Sequence, residues 1–465
     1  MSSPILPLLA APRVVPPLDP GFRPAVLVRR RVAGTPGAGV LRVALEQADG
    51  SVSHAEHPLL PAGHPDAAAN PVLAERFVKF LLWARGGWRI HVSGAPGIAA
   101  HLRRHYAETA VGRFDDDIIG RRIYGRGIEV VAAADLPPAR SVTAALGRHW
   151  NGCRIGFDLG GSDRKVAAVV DGNPVFTEET VWDPIRQADP QYHFDGIMDS
   201  LRRAAAHLPR VDAIGGSAAG VYVNNEPRVA SLFRAVPPGL FATRVRNLFH
   251  ELKTAWGGVP FEVANDGEVT ALAGSMALGA NAVLGVAMGT STAAGYVTRD
   301  GGITSWLNEL AFAPVDLRPD GPADEWSGDR GCGVQFFSQQ GVARLLPGAG
   351  IEVPAGMPLP ERLREVQTLM AAGDARARAV YETIGVCFGH AVAQYADDYD
   401  FDHVLVLGRV LTGEGGAVLL ARAEEVLRTE FPALAARVRF HTPDETAKRH
   451  GQAVAAASLP VVPEP

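Results

Sequence analysis

The apolar positions of the chain alternate between short β-type runs and longer helix-type repeats from about residue 24 onward. Residues 24–148 predict two strands, a helix, a strand and a second helix, and a similar order returns in residues 165–216. Residues 403–407 form a continuous apolar run, which is typical of a buried parallel strand. The pattern therefore predicts an α/β protein throughout.

The first 150 residues differ from the rest in composition and in motifs. Residues 1–24 are rich in proline and predict an extended arm, and residues 25–150 predict an N-terminal α/β domain. Arg42 lies 52 residues before Gly94, and Lys165 lies 51 residues before Gly216, at similar places in the two element series. Either the first region is a degenerate repeat of the second, or two unrelated βαβ units resemble each other.

Composition and charge exclude several classes of protein. A chain of 465 residues with 47% hydrophobic and 20% charged residues predicts a soluble globular protein of two or three domains. The net charge of −5 shows no basic footprint, and residues before Arg154 show no compact helix-turn-helix, so we expect no nucleic-acid partner. The three cysteines form no Cys-x-x-Cys pattern, which indicates a reducing, cytoplasmic location.

One apolar stretch, residues 277–297, is long enough to raise the question of a membrane span. Polar residues and four glycines interrupt it, so a strand-turn-strand is the better prediction and we expect no membrane partner.

Two glycine-rich segments, residues 158–165 and 288–295, interrupt runs that otherwise predict strands. Glycine permits close approach of a backbone to a phosphate, and serine and threonine add hydroxyl donors. An ordinary hairpin uses the same residues, so each segment alone has two interpretations. The candidate phosphate contacts are Gly160, Gly161, Ser162, Gly289, Thr290 and Ser291.

Two aspartates stand where strands are predicted to end. Asp158 could reach Mg²⁺ directly or through water, or it could cap its own turn. Asp266 follows the apolar strand 261–264, at the strand end where α/β sheets bind ligands, and that position suits a general base. Alternatively, Asn265-Asp266 is simply the N-cap of the next helix.

Four segments in this order resemble the ROK family of sugar kinases, within the sugar kinase, Hsp70 and actin superfamily of ATPases. Residues 158–162 and 285–291 resemble its two phosphate motifs, residues 263–266 its catalytic strand end, and residues 406–416 its adenosine loop. Asp266, Gly289 and Gly408 follow Asp158 by 108, 131 and 250 residues. The resemblance covers Arg154 to about Leu459.

The resemblance implies a two-lobed actin-like ATPase fold, related to ribonuclease H, with an additional N-terminal α/β domain. The first lobe would comprise residues 151–264, joined by a C-terminal helix at 444–459, and the second lobe residues 265–443. It also implies a kinase that uses ATP and Mg²⁺ to phosphorylate a hydroxyl of a sugar or sugar-like acceptor. Asp266 would be the general base and Asp158 the Mg²⁺ carboxylate.

The remaining site residues are also implied by the resemblance. The substrate-binding residues would be Asn265, Glu309 and Gly220. The ATP-binding residues would be those of the two phosphate segments together with Gly408, Gly413, Gly415 and Gly416.

The sequence departs from the ROK pattern where the family usually carries a structural zinc. Its usual histidine position is Phe312, two cysteine positions are Glu325 and Ser327, and the last glutamate position is Val334. One remaining thiolate cannot build a tetrahedral site, so we predict no zinc. The lost polar groups weigh against a standard hexose and leave open a modified sugar, a smaller polyol or another acceptor.

Two further questions stay open at the level of sequence. Trp306 and Trp326 flank the altered segment and either stack on a sugar or pack within the protein. The alternative function is a non-catalytic nucleotide- or sugar-binding regulatory or scaffold protein that retains the kinase fold. A homodimer is compatible with the sequence, which does not specify an oligomeric state.

Overall fold

The structure is a computed structural model that describes residues 3–94, 97–141, 146–442 and 451–462. The chain divides into two compact units. Unit 1 comprises Met1–Thr143, Val286–Ala293 and Trp306–Phe440, and unit 2 comprises Ala144–Gly285, Ala294–Ser305 and His441–Pro465. Each unit is therefore built from segments that are distant in sequence.

The N-terminal part of unit 1 is a sheet covered by helices. Its strands have the order β2-β1-β3-β4, in which β1 is antiparallel to β2 and β3, and β3 is parallel to β4. Alternate residues Leu41, Val43 and Leu45 of β1 are buried, as expected for a strand with one face on a core. The elements are α1 (Ala25–Ala33), β1 (Gly39–Glu46), β2 (Val52–Leu59), α2 (Asn70–Arg85), β3 (Arg89–Ser93), α3 (Ile98–Glu108), α4 (Ala110–Asp115) and β4 (Glu129–Ala132).

The main sheet of unit 2 follows and has the strand order β11-β8-β5-β6-β7. Its central strand β5 is buried at every residue, because β8 (parallel) and β6 (antiparallel) flank its two edges and helices pack on the sheet. The elements are β5 (Cys153–Leu159), β6 (Asp163–Val170), β7 (Asn173–Val181), α5 (Pro190–Ala205), β8 (Ala213–Ala218), β9 (Val221–Val223), β10 (Glu226–Val229), α6 (Pro238–Leu240), α7 (Leu248–Ala255), β11 (Phe261–Asn265) and α8 (Asp266–Leu278).

The remaining elements complete both units. They are β12 (Val283–Met288), β13 (Thr292–Val297), α9 (Gln339–Ala349), α10 (Leu359–Ala371), α11 (Ala375–Tyr395), β14 (His403–Leu407), α12 (Glu414–Glu430), α13 (Pro432–Arg437), β15 (Arg439–His441) and α14 (Gly451–Ala457). A third sheet has the order β13-β12-β14-β15. The strand-turn-strand predicted within residues 277–297 is confirmed as β12 and β13. In the described part of the chain, none of the helices combines the length and apolarity that crossing a membrane requires.

The N-terminal sheet of unit 1 and the main sheet of unit 2 have related topologies. Reading from β4, the N-terminal order β4-β3-β1-β2 matches the order β11-β8-β6-β7 once β5 is removed from the unit 2 sheet. The strand directions also agree. In the N-terminal sheet β3 is antiparallel to β1, and in the unit 2 sheet β8 runs antiparallel to β6, because β5 is parallel to β8 and antiparallel to β6. The strand without a counterpart is the one that carries Asp158. The internal repeat stays a prediction, and this topology supports it.

The compact units differ from the division expected from sequence. Residues 1–143 share a unit with residues 306–440, whereas the sequence predicted a separate N-terminal domain. The arm is also more than an extended strand, because Leu6–Leu8 forms a 3₁₀ turn, Leu8 is buried, and the buried ring of Phe22 lies 5.4 Å from that of Phe336. Burial of these apolar side chains joins the arm to unit 1.

The boundary of the second lobe also differs from its predicted place at residue 265. Helix α8 belongs to unit 2, where a Cβ on Gly267 would lie 2.6 Å from the carbonyl oxygen of Ala294. Of the predicted C-terminal helix 444–459, residues 444–450 lie outside the described residues, and α14 accounts for the described helical part in unit 2.

Candidate functional site

Asp158 lies near the end of β5 and is held by side chains from both neighbouring strands. Ser217 Oγ on β8 donates a hydrogen bond to Asp158 Oδ1 at 2.8 Å, and Lys165 Nζ on β6 lies 3.6 Å from Oδ2. Burial raises the pKa of Asp158, while Ser217 and Lys165 oppose that shift. Among the described residues, the partners of this carboxylate are therefore side chains of the sheet and not the backbone of its own turn.

The first glycine turn is tight and tied to Trp182. Gly160 N donates to Asp163 O at 2.9 Å, and the carbonyl of Gly160 accepts from Trp182 Nε1 at 2.8 Å. A Cβ on Gly160 would lie 3.0 Å from Asp163 O, so the turn has little room for a larger residue. Gly161 and Ser162 are exposed, and Ser162 Oγ donates to Asp163 Oδ2 at 3.0 Å.

Asp266 is placed by the parallel strands β5, β8 and β11. Asp158 pairs with Ser217, and Ser217 pairs with Ala264, so the three strands end at one edge of the sheet. Asp266 is the first residue of α8 and follows β11 directly. The structure thus brings Asp158 and Asp266 to the same sheet edge in unit 2, as ligand-binding α/β sheets do.

The electrostatic environment of Asp266 differs from that of a surface carboxylate. Surrounding protein atoms disfavour its charged form, the charge of Asp158 adds to this, and together they raise the pKa of Asp266 to about 6. Hydrogen bonding from the backbone N–H of Gly267 to Asp266 Oδ1, at 3.0 Å, acts in the opposite direction. A carboxylate with a pKa near neutrality is suited to accept a proton.

Asn265 is the N-cap of α8. An N-cap was the alternative interpretation of Asn265-Asp266 from the sequence. Asn265 Oδ1 accepts from Gly267 N at 2.7 Å, and its Nδ2 donates to the carbonyl of Gly220 at 2.7 Å. Gly220 has φ +127°, and a Cβ there would meet the backbone of Val229 and Ala230. Asn265 and Gly220, two of the three predicted substrate residues, thus have structural roles. Their contacts with described residues leave one amide hydrogen of Asn265 for a ligand.

The sequence did not predict Gln452, which lies on α14 and joins the two aspartates. Gln452 Nε2 donates to Ser217 Oγ at 2.8 Å and to the backbone carbonyl of Asp266 at 3.1 Å. Ser217 in turn donates to Asp158, which makes a continuous chain of hydrogen bonds. No sequence signal marked Gln452, because its partners are 186 and 235 residues away.

The second glycine turn lies beside the Gly408 segment in unit 1. Gly289 N donates to Ser291 O at 2.9 Å, and Gly289 O accepts from Gln339 N, at the start of α9, at 2.9 Å. A Cβ on Gly408, which has φ +104°, would lie 2.5 Å from the carbonyl oxygen of Met288. Thr290 and Ser291 are exposed at this turn.

The glycines at the start of α12 have two different roles. A Cβ on Gly415 would overlap the ring of Tyr381, and one on Gly416 would overlap the carbonyl of Leu411, so packing accounts for both. Gly413 has φ +80° and open space around its Cβ position. It precedes α12, whose first backbone N–H groups are available to an anion by the general rule for helix N-termini.

Glu309 lies in unit 1 on a segment that contacts α2. Its backbone N–H donates to the carbonyl of Trp83 at 2.9 Å. Phe312, at the position of the family's histidine, is buried with its ring 4.3 Å from that of Trp83. Trp326 is 63% exposed, whereas Trp306 packs against Arg85 and Tyr399. Trp306 therefore packs within the protein, whereas most of the Trp326 side chain is exposed to solvent.

About two thirds of the chain resembles solved structures of known proteins. No protein-family model and no curated protein matches the chain. A ROK hexokinase from Thermus thermophilus superposes with a TM-score of 0.51 at 20% identity, covering 66% of this chain and 96% of that one. The chain has the fold of the ROK sugar kinases. The predicted two-lobed actin-like ATPase fold is thereby confirmed.

A second ROK structure has a different function. The ROK-family transcriptional regulator described as a homologue of the E. coli MLC protein superposes with a TM-score of 0.51 at 18% identity, covering 66% of this chain and 78% of that one. A kinase and a regulator thus share the ROK fold, and function has to be argued from the site.

Proposed function

We propose that the protein is a kinase that uses ATP and Mg²⁺ to phosphorylate a hydroxyl group of a sugar or sugar-like acceptor. The observation that carries the proposal is the pair Asp158 and Asp266 at one edge of the unit 2 sheet, linked through Ser217 and Gln452. Phosphoryl transfer needs one carboxylate near the cation and one positioned as a base. ROK-fold similarity supports the same reaction class.

The residues present fit a nucleotide-bound Mg²⁺. Among the described residues, the cation nearest to Asp158 Oδ2 is Lys165 Nζ, and this ion pair at 3.6 Å is longer than an ordinary hydrogen bond, so Oδ2 can still accept a ligand. No group of three potential metal-ligating side chains occurs among the described residues. Mg²⁺ would therefore take one protein carboxylate and complete its shell with water and phosphate oxygens, as it commonly does with nucleotides. When bound, it neutralises charge on the phosphates.

The two glycine turns are the proposed phosphate contacts. Gly161, Ser162, Thr290 and Ser291 are exposed, so backbone N–H groups and hydroxyls at both turns can reach a ligand. Gly408 and Gly413 are assigned to the adenosine side of the nucleotide, while Gly415 and Gly416 support that loop by packing.

Asp266 is the proposed general base. With a pKa of about 6 it is mostly ionised at pH 7 and still basic enough to take the proton of an attacking hydroxyl. Asn265 and Glu309 would bind other hydroxyls of the acceptor. The apolar surroundings of Phe312, with the exposed face of Trp326, favour an acceptor that carries an apolar substituent or has fewer hydroxyls than a hexose.

Substitution Asp266→Asn tests the proposal. It removes the base and keeps the shape, so we expect phosphoryl transfer to fall at least about 10³-fold while ATP affinity changes less than about threefold. The matched control is Asp300→Asn, which changes an exposed carboxylate of unit 2. Transfer by Asp266→Asn at the wild-type rate would refute the assignment of the base.

The second candidate is a protein that binds a nucleotide or sugar without turnover. The burial of Phe312, where the family's histidine would be polar, favours it, and the regulator with the same fold gives a precedent. A thermal-shift screen of sugars and polyols, with and without an ATP analogue, separates the two candidates when paired with an ATP-consumption assay. Ligand-induced stabilisation without phosphate transfer to any member of the panel would favour this candidate.

A further inference from the structure

Helix α2 contacts the segment of residues 306–332, which we call the acceptor segment because it contains Glu309. Lys79 Nζ on α2 lies 2.9 Å from both carboxylate oxygens of Asp115 and 3.2 Å from Asp329 Oδ2. Arg76 Nη1 donates to both oxygens of Asp329 at 3.0 Å. Lys79 is 1% exposed and Asp329 5%, so these ion pairs are almost completely removed from water.

These buried charges are compensated by one another. Burial alone would lower the pKa of Lys79, but Asp115 and Asp329 raise it, so the ammonium stays charged. Burial alone would raise the pKa of Asp329, but Arg76 and Lys79 outweigh it and hold that pKa at about 2. Removing one partner of such a group leaves an uncompensated charge, which is strongly destabilising.

The end of α2 also binds the backbone of the acceptor segment. A helix leaves its last carbonyls without partners in the helix. Here the carbonyls of Trp83 and Ala84 accept from the N–H groups of Glu309 and Asn308, each at 2.9 Å. Asn308 adopts φ +51°, and its Oδ1 accepts from the hydroxyl of Tyr399 at 2.8 Å. Hydrogen bonds to α2 and to Tyr399 therefore hold the backbone at Asn308 and Glu309.

An aromatic contact completes the attachment. The rings of Trp83 and Phe312 lie 4.3 Å apart, and Trp83 Nε1 donates to Asp115 Oδ1 at 3.0 Å. One residue of α2 thus contacts both the buried ion pairs and the apolar part of the acceptor segment.

We propose that α2 is the scaffold that orders the acceptor segment, with Arg76, Lys79 and Trp83 as positioning residues for Glu309. The N-terminal region thus cross-links the acceptor segment, as a thiolate-bound zinc would do in a protein with the full ROK pattern. Of the cysteine positions in that pattern, Cys332 remains a cysteine in this chain. The proposal rests on the proposed function only for the role of Glu309. The ordering itself is a property of the protein without ligand.

Cys332 provides a direct probe, because its thiol is buried and lies 3.6 Å from Asp329 Oδ2. The full-length protein is treated with an aromatic disulfide reagent, and peptide mapping gives the labelling rate at each cysteine. Cys153 and Cys387 are also buried and serve as internal references. For Lys79→Met we expect labelling of Cys332 at least tenfold faster than in the wild type, with the other two thiols changed less than twofold.

The control Arg121→Met removes another cation of the N-terminal region, whose 65% exposed side chain pairs with Asp116. We expect it to leave labelling of Cys332 unchanged, and Lys79→Arg to restore most of the protection lost in Lys79→Met. Wild-type labelling of Cys332 in Lys79→Met, or equal acceleration at all three thiols, would overturn the proposal.

A second, independent comparison uses the variants Trp83→Ala and Trp83→Phe. It also covers the case in which Lys79→Met does not fold. We expect Trp83→Ala alone to accelerate labelling of Cys332, and equal rates in the two variants would overturn the proposal. No kinase activity is needed for this measurement, so absence of phosphoryl transfer in the wild type would refute the proposed function and leave the scaffold proposal standing.

Discussion

The most informative residue is Asp266, because its position and its electrostatic environment both suit a general base. It stands at a strand end, it is shielded by protein atoms, and the charge of Asp158 disfavours its ionised form. The same two aspartates were predicted from sequence as the carboxylates of the site. Their mutual influence on pKa follows only from the strand register that brings them to one edge.

Replacing Asp158 should therefore change the pKa of Asp266. In Asp158→Asn we expect that pKa to fall below about 6, because a like charge that opposes ionisation has been removed. ¹³C NMR of carboxyl-labelled aspartate, in the absence of Mg²⁺, measures it directly. The control Asp300→Asn should leave the Asp266 titration unchanged, and a rise in the pKa of Asp266 in Asp158→Asn would contradict the electrostatic coupling.

Gln452 carries a second prediction at this scale. Gln452→Leu removes both hydrogen bonds that join Ser217 and the backbone of Asp266, so we expect kcat to fall about 10- to 100-fold with KM for ATP within about threefold. Stability should fall by about 1 kcal/mol, the usual net worth of such bonds. Steady-state kinetics and urea unfolding measure the two effects. Gln191→Leu, at an exposed glutamine, is the control, and unchanged kcat in Gln452→Leu would contradict a positioning role.

At the scale of elements, α2 is a helix that the sequence predicted without predicting its tertiary contacts. The sequence predicted a helix between the second and third strands of residues 24–148, and the structure has α2 over Asn70–Arg85 at that place. The buried charges of Arg76 and Lys79 have partners that lie further along the chain, since Asp115 is 36 residues after Lys79 and Asp329 is 253 residues after Arg76. Periodicity identifies an element, whereas its contacts depend on the tertiary fold.

Two carboxylates at α2, Glu75 within the helix and Asp329 bound to Arg76, make stability depend on pH, whereas burial raises the pKa of Asp115, which acts in the opposite direction. Glu75 and Asp329 both have a pKa of about 2 in the folded state, below their values in an unfolded chain. Each lowered pKa contributes stability that is present above about pH 4.5 and is lost as the pH falls toward 2, by roughly 2–3 kcal/mol per group. Urea unfolding between pH 5 and pH 3 should show this loss.

The variant Asp329→Asn isolates that contribution. It should be less stable than the wild type at pH 5, and the difference should shrink toward pH 3, where the wild-type carboxylate loses its advantage. Asp316 has a pKa raised to about 6 and acts in the opposite direction, since its contribution improves as the pH falls from 6 to 4. A difference between variant and wild type that stays constant with pH would contradict the assignment.

At the scale of the whole molecule, the first 143 residues are part of unit 1. Phe22 lies against Phe336 and His390, and Asp19 pairs with Arg318 and Arg344. These contacts bury apolar surface and charges of the N-terminal region against residues between 318 and 390. Unit 1 therefore needs the N-terminal region to complete its core, which a division along the sequence does not reveal.

Expression of residues 1–141 and 146–465 as two separate chains tests this dependence. We expect the two chains to co-purify in equal amounts, and residues 146–465 alone to aggregate or to melt at least about 10 °C below the full chain, since a shared core is lost. Size-exclusion chromatography and calorimetry measure both outcomes. A monodisperse 146–465 chain with the full-length melting temperature would show that unit 1 folds without the N-terminal region.

The sequence by itself determined what local chemistry encodes. Apolar periodicity predicted the α/β elements, glycines marked the turns at 160 and 289, and Asp158 and Asp266 followed apolar strands, because each signal lies within a few adjacent residues. The tertiary structure decided the rest. Gln452 joins the two aspartates and α2 holds the acceptor segment, because hydrogen bonds and buried ion pairs connect residues that only folding brings together.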